Sequence, residues 1–436
     1  MRRGPGFQER GRPKNRPFGG RPWDRGDRNE EGHRESREVS GDPGNRLPEE
    51  EPVRKEVLAL PLATRVVGGV DREHPADSVL RVVLKEEAGL RRETAGEVAR
   101  LVFSYFRWRG FVGRGLPLPR QIESAADLAR RYALDPDSVA PQGWDRAVPA
   151  WVRDRVAGGA EWWKALQKEP QLWLRARPGM AEAVKLALGE VVQPLPEVAP
   201  DALVYEGPKD LFRDPGFQAG TYEIQDLASQ MVGQLCAPRP GETWWDACAG
   251  EGGKTLHLAD LMGNRGVVWA TDRAGWRLHR LRVRAGRANL FNIRWAEWEG
   301  GESRPGKTMF DGVLVDAPCS GLGTWQRNPH ARWSMLPEDV TELSALQIRL
   351  LKNAAAGVKV GGRIIFSVCT LTHEETVKVS DAFEAAMPGF EPLPLPDSHR
   401  RGPGAKSESR AKNRLWIWPQ DWGGNGMYVA AWTRRK

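Results

Sequence analysis

The chain has 436 residues, with 65 Lys and Arg against 57 Asp and Glu, and a formal net charge of +8. This length suggests two or three domains with a real hydrophobic core, and the positive charge favours a polyanionic partner such as nucleic acid. Four scattered cysteines without a CxxC pair exclude a disulfide framework, and we expect no metal site. No apolar run is long enough to span a membrane, and the N-terminus lacks the apolar core of a secretory signal, so we expect a cytoplasmic protein.

Residues 1–55 are rich in Arg, Gly and Pro and nearly free of aliphatic side chains. Such a segment cannot bury enough apolar surface to fold alone, so we predict a disordered basic tail. It could hold RNA electrostatically, or it could be a solvated extension without a dedicated role. Composition does not separate these alternatives.

Residues 56–190 place apolar side chains at three- and four-residue intervals, as in TAGEVARLVFSYFRWRGFV. This spacing predicts helices, and we expect an all-α domain here. Its surplus of Arg suits RNA contact, but a basic helix face is equally typical of ordinary solvated surface. The Pro-rich stretch VVQPLPEVAP (191–200) then predicts a linker or edge segment, and we place a linker and an entry segment to the next domain over 191–240.

Residues 241–436 alternate short apolar runs with helical segments; TWWDACAG precedes GGKTLHLADLM, and GVVWATD precedes AGWRLHRLRVRAGRANL. This alternation predicts an α/β domain, a parallel sheet with helices on both faces. Ligands of such sheets bind beyond the carboxyl ends of the strands. Cys319 in VLVDAPCSGLG and Cys369 in RIIFSVCTL both follow predicted strands, so we expect both thiols at that edge.

The segment DACAGEGGKT (246–255) predicts a strand, a Gly-rich turn and a helix. Small residues let the backbone approach a ligand and offer it amide groups, although nucleotide and dinucleotide sites share this signal. Asp272 ends the next predicted strand, where a carboxylate can accept hydrogen bonds from ribose hydroxyls. It could equally cap the helix that follows.

Together these motifs resemble, in order, those of the Sun/Fmu family of RNA cytosine-5 methyltransferases. YEIQDLASQMV (222–232) is similar to the family's QD-x-x-S segment, and DACAGEGGKT is similar to its DACAAPGGKT loop. DAPCSGLGTWQRNP and FSVCTLTHEE resemble its two cysteine motifs, DAPCSGTG…RRNP and YSTCTL…EEN. The helical module is similar to the NusB-like domain of the subfamily of bacterial small-subunit rRNA methyltransferase B.

The resemblance implies a Rossmann-like domain that uses S-adenosylmethionine, preceded by an all-α NusB-like RNA-binding domain. It implies Cys369 as the nucleophile, Cys319 as the residue that helps to release product, and Asp316 and Lys254 as further catalytic residues. Glu297 takes, by position, the place of an acidic residue near the adenine. The implied cofactor contacts are Cys248, Ala249, Gly250, Glu251, Gly252, Gly253, Lys254, Asp272, Glu297 and Asp316, with no metal. Glu251 departs from the family, which has Pro there.

The chemistry explains why a nucleophilic thiol is needed. Carbon 5 of cytosine is a poor nucleophile, and thiolate addition at carbon 6 makes the ring enamine-like. The target base must be unpaired or extruded to be reached. The resemblance thus implies methylation of cytosine in RNA, and the similarity of the helical module to a NusB-like domain favours small-subunit rRNA. A tRNA cytosine-5 methyltransferase and a non-catalytic ribosome-assembly factor stay open as alternatives, and a monomer is favoured.

Overall fold

The structure is a computed structural model that describes residues 52–87, 89–139, 143–399 and 411–436. The predicted tail lies outside the described residues, except that positions 52–55 belong to the first helix. The α-helices are α1 (Pro52–Gly68), α2 (Ala76–Glu86), α3 (Arg92–Trp108), α4 (Leu118–Leu134), α5 (Gly159–Ala165), α6 (Ala181–Leu188), α7 (Pro215–Gln218), α8 (Leu227–Cys236), α9 (Gly253–Leu261), α10 (Gly275–Arg287), α11 (Pro337–Ala355), α12 (Val377–Ala386) and α13 (Pro419–Trp422).

The β-strands are β1 (Leu172–Ala176), β2 (Val191–Val192), β3 (Ala202–Tyr205), β4 (Tyr222–Ile224), β5 (Thr243–Asp246), β6 (Val267–Asp272), β7 (Ile293–Glu297), β8 (Phe310–Asp316), β9 (Val358–Val368), β10 (Phe390–Pro392), β11 (Arg414–Ile417) and β12 (Met427–Arg434). Within the described ranges, no helix combines the length and the apolarity that crossing a membrane requires.

Strands β5 to β12 form the large sheet in the order β10-β12-β9-β8-β5-β6-β7, and β11 pairs with β12. The five strands from β7 to β9 in this order are parallel, whereas β12 runs antiparallel to β9. Trp244 and Trp245 are neighbours on β5, so their side chains point to opposite faces, and each is fully buried in a different apolar core. Helices α8, α9 and α10 cover one face, and α11 and α12 cover the other. The predicted α/β architecture is confirmed.

Glycine at 312 on β8 is explained by this packing. A Cβ atom at that position would lie 2.3 Å from the indole of Trp244. Because core side chains are close-packed, any larger residue would push Trp244 out of its place.

The N-terminal part contains the predicted helices, and α1, α3 and α4 share a core that includes Val98, Phe106 and Ile122. The prediction that residues 56–190 are helical throughout is wrong at β1, Leu172–Ala176. A short apolar run is ambiguous by periodicity alone, and here antiparallel pairing with β3 and β4 decides for a strand.

The stretch 191–240 is more than a linker. It supplies β2, β3 and β4 to a small antiparallel sheet of order β2-β3-β1-β4, and then α8 to the large domain. Tertiary pairing outweighs the local Pro-rich composition. The predicted domain boundaries and the NusB-like character of the helical module stay predictions.

Arg332 joins the helical module to the large domain. It is fully buried and donates hydrogen bonds to the carbonyl oxygens of Arg107 (3.3 Å), Ala147 (3.4 Å), Trp325 (3.1 Å) and Leu166. One guanidinium therefore satisfies buried backbone groups from four separate segments.

Candidate active site

Two loops at the carboxyl edge of the sheet bring the predicted thiols together. Cys319 follows β8 and Cys369 follows β9, and their Sγ atoms lie 3.3 Å apart. The loops are joined directly, because the amide of Gly323 donates to the carbonyl oxygen of Cys369 at 3.0 Å. The hydrogen bond with Cys369, together with burial, raises the pKa of the Cys319 thiol well above its ordinary value. Cys319 therefore keeps its proton at neutral pH.

Asp316 and Lys254 form an ion pair at the same edge. The Nζ atom of Lys254 on α9 lies 2.8 Å from Oδ2 of Asp316, and the Ser367 hydroxyl donates to Oδ1 at 2.7 Å. Burial acts to lower the pKa of Lys254, but the Asp316 carboxylate and the nearby Cys369 thiol outweigh it and raise that pKa. The Lys254 ammonium is therefore a fixed positive charge beside the thiols.

The predicted cofactor residues 248–254 lie in the turn between β5 and α9 and in the first two residues of α9. Gly250 and Gly252 have φ values of 56° and 89°, a left-handed conformation that favours glycine. Asp272, at the end of β6, accepts hydrogen bonds from the amides of Gly250 at 3.0 Å and Ala274 at 2.8 Å. Asp272 therefore braces the Gly-rich turn and the start of α10, and its contact with a ribose stays a prediction.

Glu251 turns towards α10. Its Oε1 accepts from Arg280 at 2.6 Å, and its carbonyl oxygen accepts from Arg284 at 2.9 Å. The charge that replaces the family's Pro is therefore paired, and the turn is tied to the helix.

Asp246 ends β5 beneath this turn. Its Oδ2 accepts from the Thr255 hydroxyl at 2.7 Å, whereas its buried Oδ1 has no partner among the described residues. Burial raises the pKa of Asp246 to about 7. Burial also raises the pKa of the Cys248 thiol, which suits packing rather than nucleophilic chemistry.

Glu297 stands at the exposed carboxyl end of β7, directly opposite Asp272 in the sheet register. Its Oε1 would lie 2.4 Å from a Cβ atom at Gly275, the first residue of α10. Glu297 therefore lies at the carboxyl edge of the sheet with its side chain against the start of α10, and its role near the adenine stays a prediction.

Glu375 is a site residue that the sequence analysis did not assign. It is fully buried, and its Oε1 accepts from the amide of Ser320 at 2.9 Å and from Gln347 at 3.0 Å. Its Oε2 accepts from the hydroxyls of Thr372 (2.9 Å), Thr370 (3.1 Å) and Ser320. Hydrogen-bond donors beside both cysteines thus donate to the same carboxylate. Its place in the motif FSVCTLTHEE was the only signal in the sequence.

In the part of the chain that the structure describes, no three His, Cys, Asp or Glu side chains are grouped so that they could hold a metal ion. A strand, a Gly-rich turn and a helix, with polar groups at the carboxyl edge of a parallel sheet, define a Rossmann-like domain.

Residues 233–433 match the model of the family described as 16S rRNA methyltransferase RsmB/F. This match covers somewhat less than half of the chain, and it agrees with the resemblance stated from the motifs. The probable ribosomal RNA small subunit methyltransferase B of Synechocystis is 46% identical over 37% of this chain and 36% of its own length. Ribosomal RNA small subunit methyltransferase B of Vibrio vulnificus is 31% identical over 63% of this chain and 66% of its own. The chain thus matches between about a third and two thirds of these relatives' lengths.

Solved structures share the fold. The crystal structure of PH0851 has a TM-score of 0.70 at 23% identity and covers 87% of this chain and 98% of its own. A methyltransferase homologue from Pyrococcus horikoshii has a TM-score of 0.55 at 27% identity, covering 64% and 93%. NSun6 from the same organism, solved with SFG, has a TM-score of 0.55 at 16% identity, covering 63% and 94%.

Proposed function

We propose that this protein transfers a methyl group from S-adenosylmethionine to carbon 5 of a cytosine in RNA, through a covalent adduct with Cys369. The observation that carries the proposal is the pair of thiols 3.3 Å apart, beside the half-buried ion pair of Lys254 and Asp316. Two adjacent thiols suit a reaction that must first form a bond to carbon 6 and then break it. The names of the relatives support rRNA of the small subunit as the substrate.

The residues at the carboxyl edge suit the cofactor. The left-handed Gly250, around which a Cβ atom would meet nothing within 4 Å, leaves the backbone of the turn open to a ligand. The carboxylates of Asp272 and Glu297 at the ends of β6 and β7 support contacts with the ribose and adenine groups. The partnerless Oδ1 of Asp246 lies beneath the turn. SFG, bound to NSun6, is an analogue of S-adenosylmethionine. When S-adenosylmethionine is bound, it supplies the methyl group.

Cys369 is the nucleophile in this proposal. Its thiolate adds to carbon 6 and loads electron density onto carbon 5. The ammonium group of Lys254, which holds its proton firmly, offsets the negative charge that spreads over the ring. Asp316 is the acceptor for the exocyclic amine of the base.

Cys319 completes the reaction. The proton on carbon 5 passes to the Cys319 sulfur, the bond between carbon 6 and Cys369 breaks, and its electron pair returns to Cys369 as the ring double bond re-forms. Cys319 must first lose its own proton to solvent, which its raised pKa opposes. Product release should therefore become faster as the pH rises above neutrality, and rapid-quench measurement of the adduct between pH 7 and about 9 checks this.

Trapping the adduct tests the proposed division of labour. Cys319→Ala should form the bond to carbon 6 but fail to release it, so incubation with S-adenosylmethionine and RNA should give a protein–RNA band on a denaturing gel. Cys369→Ala should give no band and no methyl transfer. The double variant is the matched control, because it keeps the smaller side chain at 319.

Small-subunit rRNA and tRNA are supplied as separate fractions, so that the fraction that gives the band identifies the substrate. A band with tRNA alone would favour the tRNA alternative. If wild type methylates RNA while Cys319→Ala gives no band, the release role is wrong. If wild type methylates neither fraction, the assembly-factor alternative is favoured.

A further inference from the structure

A cavity lies in the helical module, away from the candidate active site. It has a volume of about 410 Å³ and lies between α3, α4 and the segment 167–169 that follows α5. None of the predicted active-site residues lines it. The volume lies within the range of small-ligand pockets, so the question is what its walls could bind.

Three buried side chains on these walls carry polar atoms without a partner. The hydroxyl of Ser104, Nε of Arg107 and Oε1 of Gln167 have no hydrogen-bond partner among the described residues. The three residues are only 1%, 4% and 3% exposed. A buried polar group without a partner costs stability. Three such groups around one cavity indicate that a polar ligand binds there and supplies the missing hydrogen bonds.

The charges around the cavity are mainly positive. Arg100, Arg130 and Lys168 line it together with Arg107, and Glu169 is the one carboxylate among the described lining residues. Arg100 pairs with Glu97 and Arg130 with Asp127, each one turn away on its own helix.

Arg107 is the central cation. Within the described residues, one of its terminal nitrogens donates a 3.4 Å hydrogen bond to the carbonyl oxygen of Gln326. Burial lowers its pKa, with Glu169 acting in the opposite sense. A guanidinium that has lost water without gaining a carboxylate is the group that an oxyanion would stabilise most.

We propose that this cavity binds a phosphate group with an adjoining hydroxyl-bearing sugar, carried by RNA or by a free nucleotide. Ser104 and Arg107 supply donors for the phosphate oxygens. The amide of Gln167 donates from Nε2 to the carbonyl oxygen of Trp163 at 3.2 Å, which directs Oε1 to accept from a sugar hydroxyl. The RNA source rests on the proposed function, whereas phosphate binding by itself does not.

The cavity is connected to the candidate active site through the backbone. Gln326, which accepts from Arg107, lies seven residues beyond Cys319 in the same loop region. Arg332 donates to the carbonyl oxygen of Arg107 at 3.3 Å. A phosphate bound by Arg107 would therefore be connected by these two hydrogen bonds to the segment that follows Cys319.

Binding to the full-length protein tests the proposal without requiring methyl transfer. The probes are inorganic phosphate, adenosine 5′-monophosphate, a short single-stranded oligoribonucleotide and its uncharged methylphosphonate analogue, read by thermal stability and fluorescence anisotropy. Phosphate-bearing probes should raise the melting temperature, and the methylphosphonate should not. A response to the small probes alone identifies a free ligand, and a response to the oligonucleotide identifies RNA.

Ser104→Ala separates a ligand site from a packing defect. It removes a buried hydroxyl that has no partner, so the unliganded variant should be at least as stable as wild type, while binding weakens about tenfold. Lys168→Gln, at the exposed rim, should weaken binding and lower its salt dependence. Lys85→Gln, at an exposed position of α2, is the matched control and should bind like wild type.

The proposal is overturned if phosphate, nucleotide and oligonucleotide all leave the melting temperature unchanged, or if Ser104→Ala and Lys168→Gln bind every probe as wild type does. Either result can be obtained whether or not the protein methylates RNA. With an active preparation, Ser104→Ala should raise KM for RNA and leave kcat unchanged, because Ser104 does not line the candidate active site.

Discussion

Glu375 connects two loops whose cysteines are fifty residues apart in the chain. Its carboxylate accepts five hydrogen bonds, from groups beside Cys319, beside Cys369 and on α11. A carboxylate is needed because it accepts at every position without having to donate. Glu375 is a positioning residue, since it acts on the thiols through the loops that carry them.

Glu375→Gln tests this role. The glutamine amide would point a donor at other donors, so we expect methyl transfer to fall by roughly tenfold to a hundredfold and stability to fall by about 1–3 kcal/mol. Trapping by the Cys319→Ala variant should fall in parallel, because the spacing of the thiols is disturbed. Glu374→Gln is the control, since that side chain faces Arg155 at 3.4 Å. Equal kcat in the two variants would contradict the role.

At the scale of elements, the junction of β5 and α9 places an acid in an apolar setting. Asp246 sits at the end of the strand with its pKa raised to about 7 by burial and, to a lesser degree, by the charge of Asp316, while Lys254 acts in the opposite direction. Between the ordinary value of 3.8 and about 7 the folded protein therefore holds a proton that the unfolded chain has released.

The raised pKa of Asp246 makes the folded protein less stable as the pH rises. The free energy of unfolding should decrease as the pH rises from about 4 to 7, by at most roughly 4 kcal/mol from this group. Asp246→Asn should flatten that slope, because an amide does not titrate. Urea unfolding at pH 5 and pH 8 checks the prediction, and an unchanged slope in the variant would refute it.

At the scale of the whole molecule, the helical module and the sheet domain are joined by a buried arginine. Arg332→Met should destabilise the protein by about 3–5 kcal/mol, because carbonyl groups in four segments lose their donor. Unfolding by urea should then separate into two transitions. Arg349→Met, on the exposed side of α11, is the control. A single transition at the wild-type midpoint would show that the joint is unimportant.

Much of the molecule follows from local patterns, and the exceptions have a physical reason. Cys319, Cys369 and the Gly-rich turn could be located because each follows a strand, and parallel strands end at one edge. β1 was missed because its partners lie some thirty to fifty residues further on. Glu375 and Arg332 have residue types that are usually exposed, and their burial depends on donors and acceptors collected from distant segments.

The 3.3 Å contact between the sulfurs of Cys319 and Cys369 has a consequence for redox chemistry. Oxidised glutathione should convert the pair to a disulfide, the two thiols losing two hydrogens and the oxidant becoming two reduced thiols. Thiol titration should fall from four cysteines to two, with methyl transfer lost and then restored by dithiothreitol. If transfer survives with two thiols lost, the disulfide lies elsewhere. The same closeness that serves a covalent reaction would make it depend on a reducing environment.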